Sequence, residues 1–191
     1  MFDTTVERIE MAMIRPNLDG LLAAPMPGGY TLRMYKPGDA AAWARIETSC
    51  GEFADEAAAE AMFYQTFPGD DNLRAQRIAF AVAPDGWPCG TIACWTGGYD
   101  VPDEAARLHW LGVHEAHQRK GLSKALVAWA LSQAAARGYP SMALATQTAS
   151  WVAISVYLKA GFVPMPRTPR DAEAWAIVKG KLGCGESKMG V

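Results

Sequence analysis

VHEAHQRKGLSKAL, residues 113–126, decides how the rest of the chain is read. An apolar run ends at Val113, the polar and basic residues Gln118, Arg119 and Lys120 follow, and then comes Gly121 before apolar residues at helical spacing. A strand that passes through a glycine-containing loop into a helix leaves the helix's first backbone N–H groups without partners. Those donors, with the positive end of the helix dipole, make an anion site. Gly121 has no Cβ to hold a ligand away, and Arg119, Lys120 and Lys124 add positive charge. The implied ligand is a phosphate or pyrophosphate. Neither G-x-x-x-x-G-K-[ST] nor G-x-G-x-x-G occurs; Gly183-Cys184-Gly185 lacks the third glycine and a following helix.

Composition narrows the alternatives. A chain of 191 residues, half of them hydrophobic and a fifth charged, fits one soluble domain with a real core. The formal net charge of -2 supplies no basic field for a nucleic-acid backbone. Apolar runs stop short of membrane-spanning length, and the start, MFDTTVERIEM, lacks a signal pattern. A cytoplasmic protein that binds neither nucleic acid nor membrane is expected. Cys50, Cys89, Cys94 and Cys184 are scattered, which fits reduced thiols. Cys89 and Cys94 differ in parity and are expected on opposite faces of a strand, so they share no metal. His114 and His117 lack the i, i+4 spacing of helical zinc ligands. No metal site is expected.

Working outward, residues 1–29 read as an extension: Val6, Ile9 and Met13 at helical spacing, then Pro16 and a Pro/Gly-rich loop. Residues 30–34 read as a strand. Asp39 is placed to cap an alanine-rich helix through Trp43 and Ile46, and 55–67 form a second helix. Residues 78–83 and 89–95 make a hairpin about Pro84-Asp85-Gly86-Trp87. Another strand covers 107–113, and a helix runs from 122 to 137, with Arg137 favouring its end and Gly138 and Pro140 stopping it. Residues 141–145, apolar on both faces, read as a buried parallel strand. Thr148 or Ser150 caps a helix over 151–160, ended by Gly161. Residues 171–178 have a helical pattern, and the glycine-rich end from Gly180 reads as a mobile tail. Antiparallel strands followed by strand–helix–strand–helix make a mixed α/β sheet.

Gln118-Arg119-Lys120-Gly121-Leu122-Ser123 is similar to the Q/R-x-x-G-x-G/A signature of the GNAT superfamily of N-acetyltransferases, with Ser123 at the small position. Residues 111–114 resemble that family's fourth strand. Residues 153–162, with Ala153, Tyr157, Lys159, Gly161 and Phe162, resemble its A-x-x-x-Y-x-K-x-G-F segment. Glu115 stands where proline is common, and Ser150 where asparagine often precedes the alanine. The resemblance covers roughly residues 30–166. It implies a GNAT-like mixed, mostly antiparallel sheet flanked by helices, with a parallel strand pair splayed at the coenzyme A site. The extension (1–29) and a C-terminal helix and tail (167–191) lie outside it.

The resemblance also implies a site. Leu111, Val113, Gln118, Arg119, Lys120, Gly121, Leu122, Ser123, Lys124 and Ser150 would hold acetyl-CoA as co-substrate. A backbone N–H near Val113 would polarise the thioester carbonyl, and Tyr157 would protonate the departing thiolate; the plainer reading of Tyr157 is a core tyrosine. His109 shares strand parity with Leu111 and Val113, and a family member carries a histidine at the matching place. An ordinary imidazole there suits a general base near neutral pH; the alternative is a packed strand histidine. Gln147 follows a parallel strand, where such sheets open toward ligands; it can touch pantetheine or acceptor, or be a turn residue.

Between Ile46 and Leu73 lie Glu47, Glu52, Asp55, Glu56, Glu60, Asp70 and Asp71 with no lysine or arginine. The resemblance places this segment along the acceptor side of the cleft, where clustered carboxylates would attract a cationic amine. The alternative is that Asp55, Glu56 and Glu60 are the solvated face and first turn of a helix. Glu52, in the loop before it, is the one expected to bind substrate. The sequence reading is therefore an acetyl-CoA-dependent N-acetyltransferase acting directly on a small-molecule or peptide amine. The alternative is a silent acyl-CoA-binding domain. Oligomeric state is left open, a homodimer included.

Overall fold

A computed structural model of the protein describes residues 3–98 and 102–183. Its strands are β1 (Glu10–Arg15), β2 (Thr31–Met34), β3 (Ile78–Val82), β4 (Pro88–Thr96), β5 (Ala106–Val113), β6 (Met142–Gln147) and β7 (Val163–Pro164). Its helices are α1 (Ala40–Cys50), α2 (Glu56–Thr66), α3 (Asp71–Arg77), α4 (Leu122–Ala136), α5 (Trp151–Lys159) and α6 (Asp171–Leu182). One sheet in the order β2-β3-β4-β5-β6-β1-β7 organises them, antiparallel throughout except for β5 beside β6. This is the mixed α/β architecture expected from the order of elements.

Helices cover both faces. On one, α1 and α2 bring Trp43, Ile46, Phe63 and Phe67 against Phe80 and Trp95. On the other, Leu122, Leu126 and Ala130 of α4 meet Ile92, Cys94 and Leu108, with Ile154 of α5 and Val178 of α6 extending the layer. Burial of these faces fixes the strand registers, because a slip of one residue would turn each apolar set outward.

Several expectations need correcting. The spacing of Val6, Ile9 and Met13 pointed to a helix, yet 10–15 form β1, wedged between β6 and β7. Met11, Ala12 and Met13 are all buried, so both faces of this strand are covered and it reads as a continuous apolar run rather than an alternating one. The presumed extension is thus part of the sheet. Asp39 sits at the start of α1 without capping it; its carboxylate grips Arg33 at 2.6 and 2.8 Å and accepts the Lys36 N–H at 2.6 Å. Neither Thr148 nor Ser150 caps α5. The Thr148 hydroxyl instead accepts the Ile9 N–H at 3.0 Å and donates to the Glu7 carbonyl. The short helix α3 has no counterpart in the sequence reading, and α6 continues through Gly180 to Leu182. The rest of the expected tail, with Cys184, lies outside the described residues. A bulge at Cys89 (Val82 pairs with Pro88, Ala81 with Gly90) overrides the parity argument and puts Cys89 in the same core cluster as Cys94.

Because Met13 is fully buried at the centre of β1, Met13→Ala is expected to cost about 2–5 kcal/mol. Urea unfolding checks this; a loss below about 1 kcal/mol would mean that β1 is peripheral to the folded unit.

Candidate active site

β5 and β6 pair only at their beginnings, Ala106 with Met142 and Arg107 with Ala143. Beyond that point the two strands have no ladder between them, and a cleft of about 290 Å³ lies where they part. The Ala106 N–H bonds to the Ser141 carbonyl on the β6 side, and the His114 N–H bonds to Cys89 on the β4 side. Counting back from His114 by strand alternation turns the N–H groups of Leu111 and Val113 toward the open side. The Val113 carbonyl there accepts from Gln118 Nε2 at 3.0 Å and from the Cys50 thiol at 3.4 Å.

A second irregularity shapes the cleft. Thr91 pairs with Gly112 but Ala93 pairs with His109, so β5 carries one extra residue opposite Ile92. Trp110 sits in this bulge at φ 50°, a conformation that non-glycine residues rarely adopt. The bulge reverses side-chain parity. Leu111 and Val113 pack with the α4 layer, whereas His109 packs on the α1–α2 side, its ring 5.6 Å from Phe67 and 5.9 Å from Trp110. The shared face expected for His109, Leu111 and Val113 is therefore not formed. Burial, reinforced by Arg107, lowers the His109 pKa to about 3. It stays neutral near pH 7 and is a poor proton acceptor there, contrary to the reading from an ordinary imidazole.

Tyr157, buried in α5, lines the cleft. Burial raises its pKa, and the nearby Glu47 and Glu52 carboxylates raise it further, so the phenol keeps its proton. Gln147 and Ser150 line the same cleft. Gln147 ends β6 rather than standing in a turn, with its register partner Glu10 on β1, and its buried side-chain oxygen has no partner among the described residues.

The acidic segment divides. Asp55 and Asp70 cap α2 and α3, each accepting a backbone N–H at 2.8 Å, and Asp71 engages Arg74 and Tyr35. Only Glu47 and Glu52 of that segment reach the cleft, where Arg8, Arg107 and Arg167 also stand. The acids therefore do not form a wall of one sign. Glu47, which the sequence reading named as one of the clustered acids without singling it out, is fully buried at the C-terminal half of α1. Only its carboxyl character was legible, since burial depends on which face α1 presents.

The glycine loop builds the other half of the site. Gly121 is the N-cap of α4 at φ 89°, and Arg119 has φ 61°. Such left-handed residues curl successive N–H groups into an anion-binding concavity. The first intrahelical bond at this end is Ala125 N–H to the Gly121 carbonyl, which leaves the Leu122, Ser123 and Lys124 N–H groups for a ligand. The Leu122 side chain is buried, so any contact from it is through its backbone. Arg119 and Lys124 are exposed. Lys120 bends back to Tyr30 at 3.0 Å and to the Ala116 carbonyl at 3.3 Å, and the Tyr30 hydroxyl is 3.0 Å from His117 Nδ1. Residues 118–124 do not line the cleft itself; they stand at the far end of the edge that β5 exposes. No group of His, Cys, Asp or Glu among the described residues could hold a metal ion, and no described helix is long and apolar enough to cross a membrane.

The sequence profile of the Acetyltransferase (GNAT) family matches residues 40–162. The chain belongs to that family. In fold it is similar to a GCN5-related N-acetyltransferase from Sphaerobacter thermophilus (21% identity, TM-score 0.65, 83% of this chain and 49% of that one). It is also similar to a GNAT-family acetyltransferase from Colwellia psychrerythraea (14% identity, TM-score 0.62, 83% and 53%). The chain thus spans about half the length of each. A third similar structure is diaminobutyrate acetyltransferase EctA from Paenibacillus lautus, in complex with L-2,4-diaminobutyric acid and coenzyme A (16% identity, TM-score 0.52, 68% and 73%). No curated protein matches in sequence. The family and fold are those of acetyltransferases.

The buried His109 gives a prediction about stability. Its pKa in the folded protein is below the unfolded value, so the unfolded chain binds the extra proton. Its contribution is complete above about pH 6.5 and is lost as pH falls toward about 3. Urea unfolding of His109→Gln is expected to show a weaker acid destabilisation than the unaltered protein. Parallel pH profiles would mean that the imidazole is hydrated and titrates normally.

Proposed function

We propose that the protein transfers an acetyl group from acetyl-CoA to a primary amine by direct attack within a ternary complex. The observation that carries this reading is the cleft opened by the parting of β5 and β6, with the protonated Tyr157 buried in its wall. The pyrophosphate of coenzyme A would rest on the N–H groups at the start of α4, with Arg119 and Lys124 as exposed counter-charges. Gln118 would set the loop through its bond to the Val113 carbonyl, and Ser123 is small enough for close approach. Lys120 would act mainly through Tyr30, to which it is already bonded.

From that anchor the pantetheine arm would follow the unpaired edge of β5 toward the bulge. The N–H groups of Leu111 and Val113 can pair with its amides, and one of them can polarise the thioester carbonyl as charge develops on its oxygen. Ser150 and Gln147 border the β6 side. Tyr157 would give its proton to the thiolate as the carbon–sulfur bond breaks. The volume of the cleft suits the amine-bearing end of an acceptor, with Glu52 at its exposed margin. The neutral His109 would serve as a wall and hydrogen-bonding group.

Two substitutions separate cofactor binding from chemistry. Gly121→Val puts a β-branched side chain at φ 89° and tilts the N–H cradle, so coenzyme A affinity should fall at least tenfold by calorimetry with the fold retained. Tyr157→Phe keeps the ring and its packing, so affinity should persist while kcat falls about 10²-fold. Unchanged affinity in a folded Gly121→Val would contradict the cradle, and unchanged kcat in Tyr157→Phe would contradict the proton donor.

A further inference from the structure

Glu47 is a buried acid at the edge of the cleft. It is 1% exposed, its Oε1 has no hydrogen-bond partner among the described residues, and its side chain borders the cleft. A buried carboxyl oxygen without a partner is destabilising, more so if ionised. The α1 helix nonetheless aims it at the bulged strand. Gly112, two residues beyond Trp110, leaves room for it: a Cβ at that position would collide with the Glu47 carboxylate. A large residue on α1 and a glycine on β5 thus meet beside the strand edge where the thioester carbonyl would lie.

We propose that Glu47 binds the acceptor as a primary ammonium and takes the proton that frees its nitrogen for attack. This rests on the acyl-transfer reading above and names the group that the reading lacks, since His109 is neutral and weakly basic. The ammonium gives one proton to the carboxylate, and the nitrogen lone pair forms the carbon–nitrogen bond. As the carbon–sulfur bond breaks, the sulfur takes the proton of Tyr157. The phenolate recovers a proton from the nitrogen, which is now an amide, and the proton on Glu47 passes to water. Reactants and products then balance as ammonium plus thioester to amide, thiol and one proton.

The surroundings tune this group. Burial, and then Glu52, hold its pKa well above the ordinary carboxylate range. That brings it closer to the pKa of an amine and eases the proton transfer. Other titratable or charged groups share the neighbourhood from each side. β5 supplies Arg107 and His109, α5 supplies Tyr157, and Cys50 ends α1. The N-terminal strand region brings Arg8 and Glu10, and Arg167 follows β7. A cationic amine entering among them would favour the ionised form of Glu47.

The test compares the unaltered protein with Glu47→Gln, which keeps shape and removes the basic oxygen. Thiol release from acetyl-CoA is followed with a primary amine from pH 6 to 10, alongside coenzyme A affinity. The expected result is unchanged affinity and a kcat/KM about 10²–10³-fold lower at pH 7. The gap should narrow at high pH, where amine already deprotonated in water no longer needs the carboxylate. If Glu47→Gln fails to fold, Glu47→Asp carries the test: retracting the carboxylate by one methylene should lower kcat at least tenfold at pH 7 while keeping a basic limb in the pH profile. Equal kcat/KM and an unshifted profile in a folded variant would overturn the role of Glu47 and leave acyl transfer standing. An unaltered protein that releases no thiol with any primary amine would overturn acyl transfer, and this proposal with it.

Discussion

The early end of the ladder between β5 and β6 is the constraint on which the site depends. The parallel pairing holds at Ala106 and Arg107 and then stops, leaving main-chain groups of β5 without strand partners. Such groups are costly when buried and unsatisfied, so the gap is stable where water or a ligand's amides can reach it. The sheet pays for this opening elsewhere. β4 holds β5 along its other edge, and β1 reinforces β6 over its whole length from Glu10–Gln147 to Arg15–Met142. The strand that was expected to lie outside the domain therefore braces one lip of the cleft.

Two strained backbone positions bracket that opening. Among the described residues, the non-glycine residues with positive φ are Trp110, in the bulge, and Arg119, in the loop before α4. Strain of this kind costs about 1–3 kcal/mol per residue and persists where the surroundings enforce it. Around Trp110 the enforcement is an aromatic layer: its ring stacks on Phe53 at 5.6 Å and meets Trp43 edge-on at 5.0 Å. Around Arg119 it is the bond from Gln118 to Val113 and the tie from Lys120 to Tyr30. The first position sets the side chains along the cleft, and the second curls the N–H groups at the start of α4, the proposed anion site. One strand edge joins them.

Much of this was legible in the sequence because it rests on local signals. Gly121 after a basic loop, the Pro84–Trp87 turn, and the apolar stripe through Leu122 and Leu126 each fix an element through short-range chemistry. Features set by tertiary contacts were not legible. Met11, Ala12 and Met13 are buried on both faces, and their short apolar run fits a helix as well as a strand. The polar segment of α3 has no stripe at all. Bulges at Trp110 and Cys89 cannot be read from alternation, and each reversed a parity argument about its own strand. Glu47 was named but not singled out, because seven acids in one segment look alike until the packing of α1 buries one of them.

The proposed union of a cofactor edge and an amine-facing carboxyl in one reacting centre is tested most directly by the identity of the product. Purified protein incubated with acetyl-CoA and a panel of primary amines can be followed by mass spectrometry together with free thiol. The account predicts an amine that gains a single acetyl group in step with the thiol released, at a rate above that in buffer, and no acetylated enzyme intermediate. Coenzyme A bound to a protein that leaves every amine unmodified would contradict it, as would an acetyl group that accumulates on the enzyme before the amine is added.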